Sequence, residues 1–209
     1  MAVEKALSWA YTEEYPAESA LAAAARERAS ELGVETVSPA TGAVLRAIAA
    51  MTDARAVVEI GTGAGTSGLW LLEGMSPDGV LTSIDVEPEF QRAARVAFTE
   101  AGIRPARTRL IAGRALDVVP RLADGAYDVV FVDCGAASPE IAPECWRLLR
   151  PGGVLVVGDA LSGGRVADPA RRDEATVAMR ELVKSFAANE EALANLLPSG
   201  DGILVAIKR

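Results

Sequence analysis

The sequence predicts an α/β fold of the doubly wound, Rossmann-like class, with a mostly parallel seven-stranded sheet and helices on both of its faces. Three observations carry that expectation. Five short apolar runs alternate with longer helical stretches, the pattern of successive β-α-β crossovers. A glycine-rich turn follows the first run, where open sheets of this class place a ligand. Two further apolar runs end the chain on a link too short for a parallel crossover, so a C-terminal antiparallel hairpin is expected.

In chain order, Ala17–Leu32 is Ala-rich and amphipathic, and Ala40–Met51 follows the start signal Ser38-Pro39. Both read as N-terminal helices that cap the sheet or cover its site. The parallel strands are Ala56–Ile60, Val80–Ile84, Arg109–Ala112, Tyr127–Val132 and Val154–Val157. Thr66–Leu72, Glu89–Glu100, Leu116–Leu122 and Glu140–Leu149 fit the crossover helices, with turn signals at Ser76-Pro77-Asp78-Gly79 and Pro151-Gly152-Gly153. Right-handed crossovers follow as the default. A charged helix, roughly Arg171 to Ala188, leads to the closing strands Ala192–Leu197 and Ile203–Ile207, joined by Pro198-Ser199-Gly200-Asp201-Gly202. No repeat or linker divides the sequence, so one domain is expected over residues 1–209, with cap helices in 1–52 and the ligand-binding core in 53–209.

Composition removes several classes of function. A formal charge of −8 has the wrong sign for a protein that tracks phosphate backbones, so no nucleic-acid partner is expected. The local basic stretch Arg104, Arg107, Arg109 and Arg114 reads as a solvated rim. No uncharged apolar run approaches the ~20 residues that span a bilayer, and Met1-Ala2-Val3-Glu4-Lys5 lacks the apolar segment of a signal peptide. The expectation is therefore no membrane partner and a cytoplasmic location. Cys134 and Cys145 have neither a paired framework nor metal-binding spacing, and read as reduced thiols, with a structural disulfide as the alternative. Histidine is absent, which removes the commonest general base, the usual serine triad and any His-ligated zinc. Proton transfer has to use other groups.

The chemistry concentrates at Val57-Val58-Glu59-Ile60-Gly61-Thr62-Gly63-Ala64-Gly65-Thr66-Ser67-Gly68, a strand running into a glycine turn that opens a helix. Glycines there admit positive φ and let a ligand approach main-chain N–H groups with no Cβ in the way. Two cofactor classes fit. Gly63 to Gly68 is a literal GxGxxG and Asp85 follows the second strand as a ribose acid should, which suits a dinucleotide and an NAD-type oxidoreductase. Three features favour a methyl donor: Glu59 two residues before Gly61, where a pyrophosphate would meet unwanted negative charge; the terminal hairpin; and Asp133 directly after the fourth strand. The plain structural readings are turn glycines, a helix-capping Asp85 and solvated acids at the strand ends.

These residues resemble the class I S-adenosylmethionine methyltransferases, and within them the small-molecule O-methyltransferases related to the catechol and caffeoyl-CoA enzymes. The resemblance runs from about Val37 to Ile207. It rests on Glu59 to Ser67, Ile84-Asp85-Val86-Glu87-Pro88, Gly113-Arg114-Ala115, Phe131-Val132-Asp133 and Leu148-Leu149-Arg150-Pro151-Gly152-Gly153-Val154. It implies an O-methyltransferase that acts on a small-molecule hydroxyl and works as a homodimer. Glu59, Gly61, Thr62, Gly63 and Ser67 would surround the methionine part of S-adenosylmethionine, beside a backbone contact from Val37. Asp85 would hold the ribose hydroxyls, Val86 would pack on adenine, and Gly113, Arg114 and Ala115 would close the far side of the ring. Asp133 would face cofactor and acceptor together.

The sequence departs from the cation-dependent family where the metal and base belong. The family's Asp-Ala-Asp-Lys is here Asp133-Cys134-Gly135-Ala136, which lacks the second acid and the lysine. Its Asp-Asn after the fifth strand is here Gly158-Asp159. Asp133 and Asp159 are left as the catalytic candidates and as the only candidate ligands of a weak magnesium site completed by waters. A protein that binds the cofactor without turnover is the third reading these losses admit. The segments before Val37 and around Ser162–Asp168 are expected to shape the acceptor pocket.

Overall fold

A computed structural model describes residues 2–209. The sheet contains β1 (Ala56–Ile60), β2 (Val80–Asp85), β3 (Thr108–Ala112), β4 (Tyr127–Val132), β5 (Leu149–Val157), β6 (Ala192–Leu197) and β7 (Ile203–Lys208), in the order β3-β2-β1-β4-β5-β7-β6. The first five strands are parallel, and β7 runs antiparallel to both β5 and β6. Alternation along the strands fills two apolar layers. Val57, Leu81, Val129, Phe131 and Val156 face one side, while Val58, Ile60, Val130, Val132, Leu155 and Val157 face the other. Strand order reverses between β1 and β4, so the loops at their carboxyl ends diverge and open a crevice.

The helices are α1 (Ala2–Glu14), α2 (Ala20–Glu31), α3 (Pro39–Met51), α4 (Thr66–Gly74), α5 (Pro88–Glu100), α6 (Ala115–Val118), α7 (Ser138–Leu148) and α8 (Glu174–Ala188). Ser19 and Ser38 cap α2 and α3 by accepting from Ala22 N and Thr41 N. Small buried residues Ala22, Ala25 and Ala29 let α2 lie close against α4 and α5, and α3 buries Leu45, Ile48 and Ala49. These two helices therefore brace the face beside the glycine turn, as the sequence predicts.

Two expectations change, and one helix appears that the sequence did not announce. Helix α1 carries no predictive signal, because its apolar residues Leu7, Trp9 and Tyr11 are exposed and form no buried stripe. The predicted helix Leu116–Leu122 stops at Val118 and continues as a 3₁₀ turn over Val119–Arg121, since Pro120 supplies no N–H to an α-helical ladder. Strand β5 begins at Leu149, not at Val154, so Pro151-Gly152-Gly153 lies inside it. Register passes from Tyr127↔Leu149 to Val129↔Val154, two residues against five, with Gly152 at φ +77°; the glycines make a bulge and not a chain reversal. Among the described residues no helix is long and apolar enough to cross a membrane.

Candidate active site

After Ile60 the chain turns through Gly61 (φ +98°), Gly63 (φ +49°) and Gly65 (φ +91°) into α4. The turn lies against the end of β4: Asp133 N donates to Ile60 O at 2.8 Å, and Gly61 N donates to Ile84 O at 2.9 Å. Asp85 organises the turn from the end of β2. Its Oδ2 accepts from Thr62 N at 2.9 Å and Gly63 N at 3.0 Å, and its Oδ1 from Glu87 N at 3.0 Å. The loop amides that would cradle a pyrophosphate thus already hold a carboxylate, and a second anion there would meet direct repulsion.

Glu59 is fully buried within β1 and lines none of the cavities. Its Oε1 accepts from Ser67 Oγ at 2.7 Å and its Oε2 from Ser83 Oγ at 2.5 Å, and Ser83 Oγ lies 2.7 Å from Thr62 Oγ1. Burial pushes this carboxyl up to about 7 against the two serine hydrogen bonds that hold it down, with Asp133 and Asp85 adding repulsion. Through Ser67, Ser83 and Thr62 this geometry orients the glycine turn from behind and does not present the carboxylate to a ligand.

Three cavities adjoin at Cys134, and the two smaller ones also share Gly61, Asp85 and Val86. One of about 260 Å³ runs between Asp85-Val86 and Gly113-Arg114-Ala115, with Ile141 as a side wall. Another of about 250 Å³ lies between the Val34–Val37 loop and Gly61, Thr62, Gly63 and Ser67. The third, of about 980 Å³, extends beyond Asp133 toward Asp159 and the β6–β7 link. Val37 and Asp133 line both of the latter two. Every predicted site residue except Glu59 therefore stands on a wall of this connected space.

Glu35, Phe90, Ile141 and the Ser199–Ile203 segment line it too, without having been singled out from sequence. The segment Ser162–Asp168 does not line the large cavity; its carbonyls at Arg165, Val166 and Asp168 accept from Arg180 on α8. Its place is taken by the β6–β7 link. Strand β7 is antiparallel to β5 and pairs Leu204 with Val157, so the residues that precede it sit beside the end of β5. That adjacency follows from strand order, which no local motif encodes.

Asp133 is half-buried and its carboxyl is pushed up to about 7, by desolvation first and then by Asp159 and Glu35. Asp159 sits exposed at the cavity wall with φ +51°, and its pKa is raised by partial burial, then by Asp201 and Glu35. The cysteines are free thiols, Cys134 at the junction of the cavities and Cys145 in the core. Gly158 stands where the family's ligand would be, and a Cβ there would lie 2.8 Å from Asp133 Oδ1. Among the described residues no three acidic or cysteine side chains converge on a point that could hold an ion. Asp133 and Asp159 supply at most two of the oxygens a hard cation needs, so magnesium there would be held mainly by water.

The O-methyltransferase family profile matches residues 12–209. A protein of Mycobacterium avium (strain 104), named provisionally as an O-methyltransferase, is 54% identical over 200 residues, 95% of this chain and 90% of that one. A solved structure from Corynebacterium glutamicum superposes with a TM-score of 0.89 at 36% identity, covering 100% of this chain and 97% of the other. The tomaymycin-synthesis O-methyltransferase of Streptomyces achromogenes, solved with S-adenosylmethionine, has a TM-score of 0.84 at 30% identity, covering 95% and 93%.

Proposed function

The chain belongs to the O-methyltransferase family, and from that premise we propose that it moves a methyl group from S-adenosylmethionine to the hydroxyl of a small molecule, with Asp133 as the base. The observation that carries this reading is the meeting of a glycine turn, Asp85 and Asp133 where two small cavities join a large one. Gly61, Thr62, Gly63, Ser67 and Val37 would surround the methionine end. Thr66 Oγ1, buried on that wall without a partner among the described residues, offers a polar contact to it. Asp85 would take the ribose with its remaining lone pairs, and Val86, Gly113, Arg114 and Ala115 would hold the base. Glu59 supports the turn from behind.

Bound S-adenosylmethionine supplies a methyl group already activated on a sulfonium. The protein then has to align the acceptor oxygen, exclude water and accept one proton. With no histidine and no lysine at the family's position, Asp133 is the group at the junction whose pKa suits proton capture near neutrality. Asp159 assists by keeping that pKa high. The base works deprotonated, so activity should rise with pH through about 7. Asp133→Asn should lower kcat about 100-fold or more and flatten that limb, with S-adenosylhomocysteine affinity within about threefold. A rate and pH profile like the wild type's would remove Asp133 from the reaction.

Excess EDTA should leave the wild-type rate within about twofold, since no third acidic or cysteine ligand joins the pair among the described residues. Gly158→Asp places its side chain against the Asp133 carboxylate, so its rate without metal should fall and added magnesium should restore part of it. Initial rates with and without magnesium decide this; a wild type silenced by EDTA would overturn it.

The remaining expectations rest on indirect support. Leu7 and Tyr11 lie four residues apart on α1 and are exposed, as is Tyr15 just beyond its end, which favours a homodimer. Free cysteines agree with a cytoplasmic location. The charge of −8 disfavours nucleic acid. Close packing of α2 and α3 on the core helices favours a single domain.

A further inference from the structure

Resting on the methyl-transfer reading, we propose that Glu13 on α1 is a positioning residue for the acceptor. It fixes the β6–β7 link that walls the large cavity, and so sets how tightly the acceptor is held. Ser199, Gly200 and Asp201 of that link line the 980 Å³ cavity, as Asp133 does. Gly200 N donates to Glu13 Oε1 at 2.8 Å, a contact between residues 187 positions apart. Ser199 Oγ lies 3.0 Å from Thr41 Oγ1 on α3. On its other flank the link meets the loop after β5, where Leu161 N donates to Asp201 O at 2.8 Å and Ala160 N to Gly202 O at 2.9 Å. Three elements therefore hold this short segment, and Glu13 holds its middle.

The place of Glu13 is set by the link more than by its own helix. Its neighbour Glu14 is exposed, as a polar residue on a surface helix should be. Glu13 instead has Oε2 buried without a partner among the described residues, while Oε1 accepts from Trp9 Nε1 at 3.3 Å as well as from Gly200. Withdrawing a carboxylate oxygen from water costs free energy, and the charge-assisted bond to the Gly200 amide offsets it. Gly200 also depends on that bond. It turns at φ +53° so close to α3 that a Cβ would lie 2.9 Å from Thr41 Oγ1.

The end of α1 leads to a second part of the same wall. Four residues beyond Glu14, the Glu18 carboxylate accepts from Arg26 Nη2 at 2.6 Å, and Arg26 Nη1 donates to Thr36 Oγ1. Glu18, Arg26 and Thr36 all line the large cavity. Helix α1 thus joins two parts of the acceptor wall, and Glu13 is its tie to the β6–β7 part. Glu13 itself lines none of the three cavities, so it acts on the acceptor only through Gly200. An acceptor held between a fixed wall and Asp133 is aligned for transfer; a loose wall holds it less well.

The test compares Glu13→Ala, Glu13→Gln and Glu14→Ala with the wild type. Catechol, 4-ethylcatechol and caffeate serve as probe acceptors, and kinetics use whichever the wild type methylates fastest. Hydrogen–deuterium exchange in peptides covering 198–203, with S-adenosylhomocysteine bound, should quicken about tenfold in Glu13→Ala. Its KM for the probe should rise about fivefold or more, with kcat and S-adenosylhomocysteine affinity within about twofold of the wild type. Glu13→Gln keeps an acceptor oxygen for Gly200 N and should recover most of both effects. Glu14→Ala removes the same charge from the same helix and should match the wild type. Unchanged exchange in Glu13→Ala, a loss confined to kcat or to cofactor affinity, a glutamine variant no better than alanine, or a Glu14→Ala protein as impaired as Glu13→Ala would each overturn the proposal alone. A wild type that fails to bind S-adenosylhomocysteine, or that methylates none of the probes, would sink the methyl-transfer reading and the proposal with it.

Discussion

Gly61→Ala is expected to abolish S-adenosylhomocysteine binding and to destabilise the fold by about 3 kcal/mol or more. Two costs combine at this position. The residue holds φ +98°, which an L side chain rarely adopts, and a Cβ there would fall inside the contact radius of the Asp133 carbonyl oxygen and 2.9 Å from its carbon. That carbonyl belongs to backbone and cannot swing away. Asp133 N is tied to Ile60 O at 2.8 Å and Gly158 N to Val132 O at 2.9 Å, so relief would require the ends of β1, β4 and β5 to part. Gly63→Ala is the control. It has φ +49°, and its Cβ would meet only Val34 Cγ1 at 3.3 Å, a movable side chain, so about 1 kcal/mol and a severalfold loss of affinity are expected. Urea unfolding and calorimetry on both variants measure the difference. A Gly61→Ala protein with the wild-type midpoint and affinity would show that the turn relaxes freely, and the glycine would lose its structural meaning.

The contrast between those two glycines marks how far sequence reasoning reaches. That Gly61, Gly63 and Gly65 form a ligand turn is readable because an apolar strand and a helix flank them within a dozen residues. Which one lies against another strand is not readable, because Asp133 is 72 positions away and arrives through the pairing of β1 with β4. The same limit separates the acids. Asp85 and Asp133 each end an apolar run and announce themselves; Asp201 sits in a turn-forming stretch and reaches the cavity only because β7 inserts beside β5. Glu35 follows a helix end and carries no local pattern at all. Pro151-Gly152-Gly153 is ambiguous in itself, since reversal and bulge both need a residue with positive φ, and only the register along β4 decides between them.

Asp85→Ala should weaken S-adenosylhomocysteine binding by about 30-fold or more, beyond what one lost ribose contact would cause. The carboxylate accepts from Thr62 N, Gly63 N and Glu87 N, so its removal frees the glycine turn as well as the ribose. Charge-assisted hydrogen bonds contribute roughly 1.5–3 kcal/mol each where they are dry, and the crevice is open to water, so part of that loss is recovered by solvation. The two roles can be separated without ligand. A ribose-binding acid leaves the empty protein's stability untouched, whereas an anchor of the turn lowers its melting temperature by several degrees. Asp85→Asn, which keeps one acceptor oxygen toward the amides and loses the charge, should fall between alanine and wild type in both readouts. The same carboxylate also bears on cofactor class: in a thermal-shift comparison S-adenosylhomocysteine should stabilise the wild type and NADH should not, because the pyrophosphate would face Asp85 across amides that Asp85 already occupies. Stabilisation by NADH, or an Asp85→Ala protein that melts and binds like the wild type, would mean that the turn is held by its glycines alone and that Asp85 is a rim carboxylate.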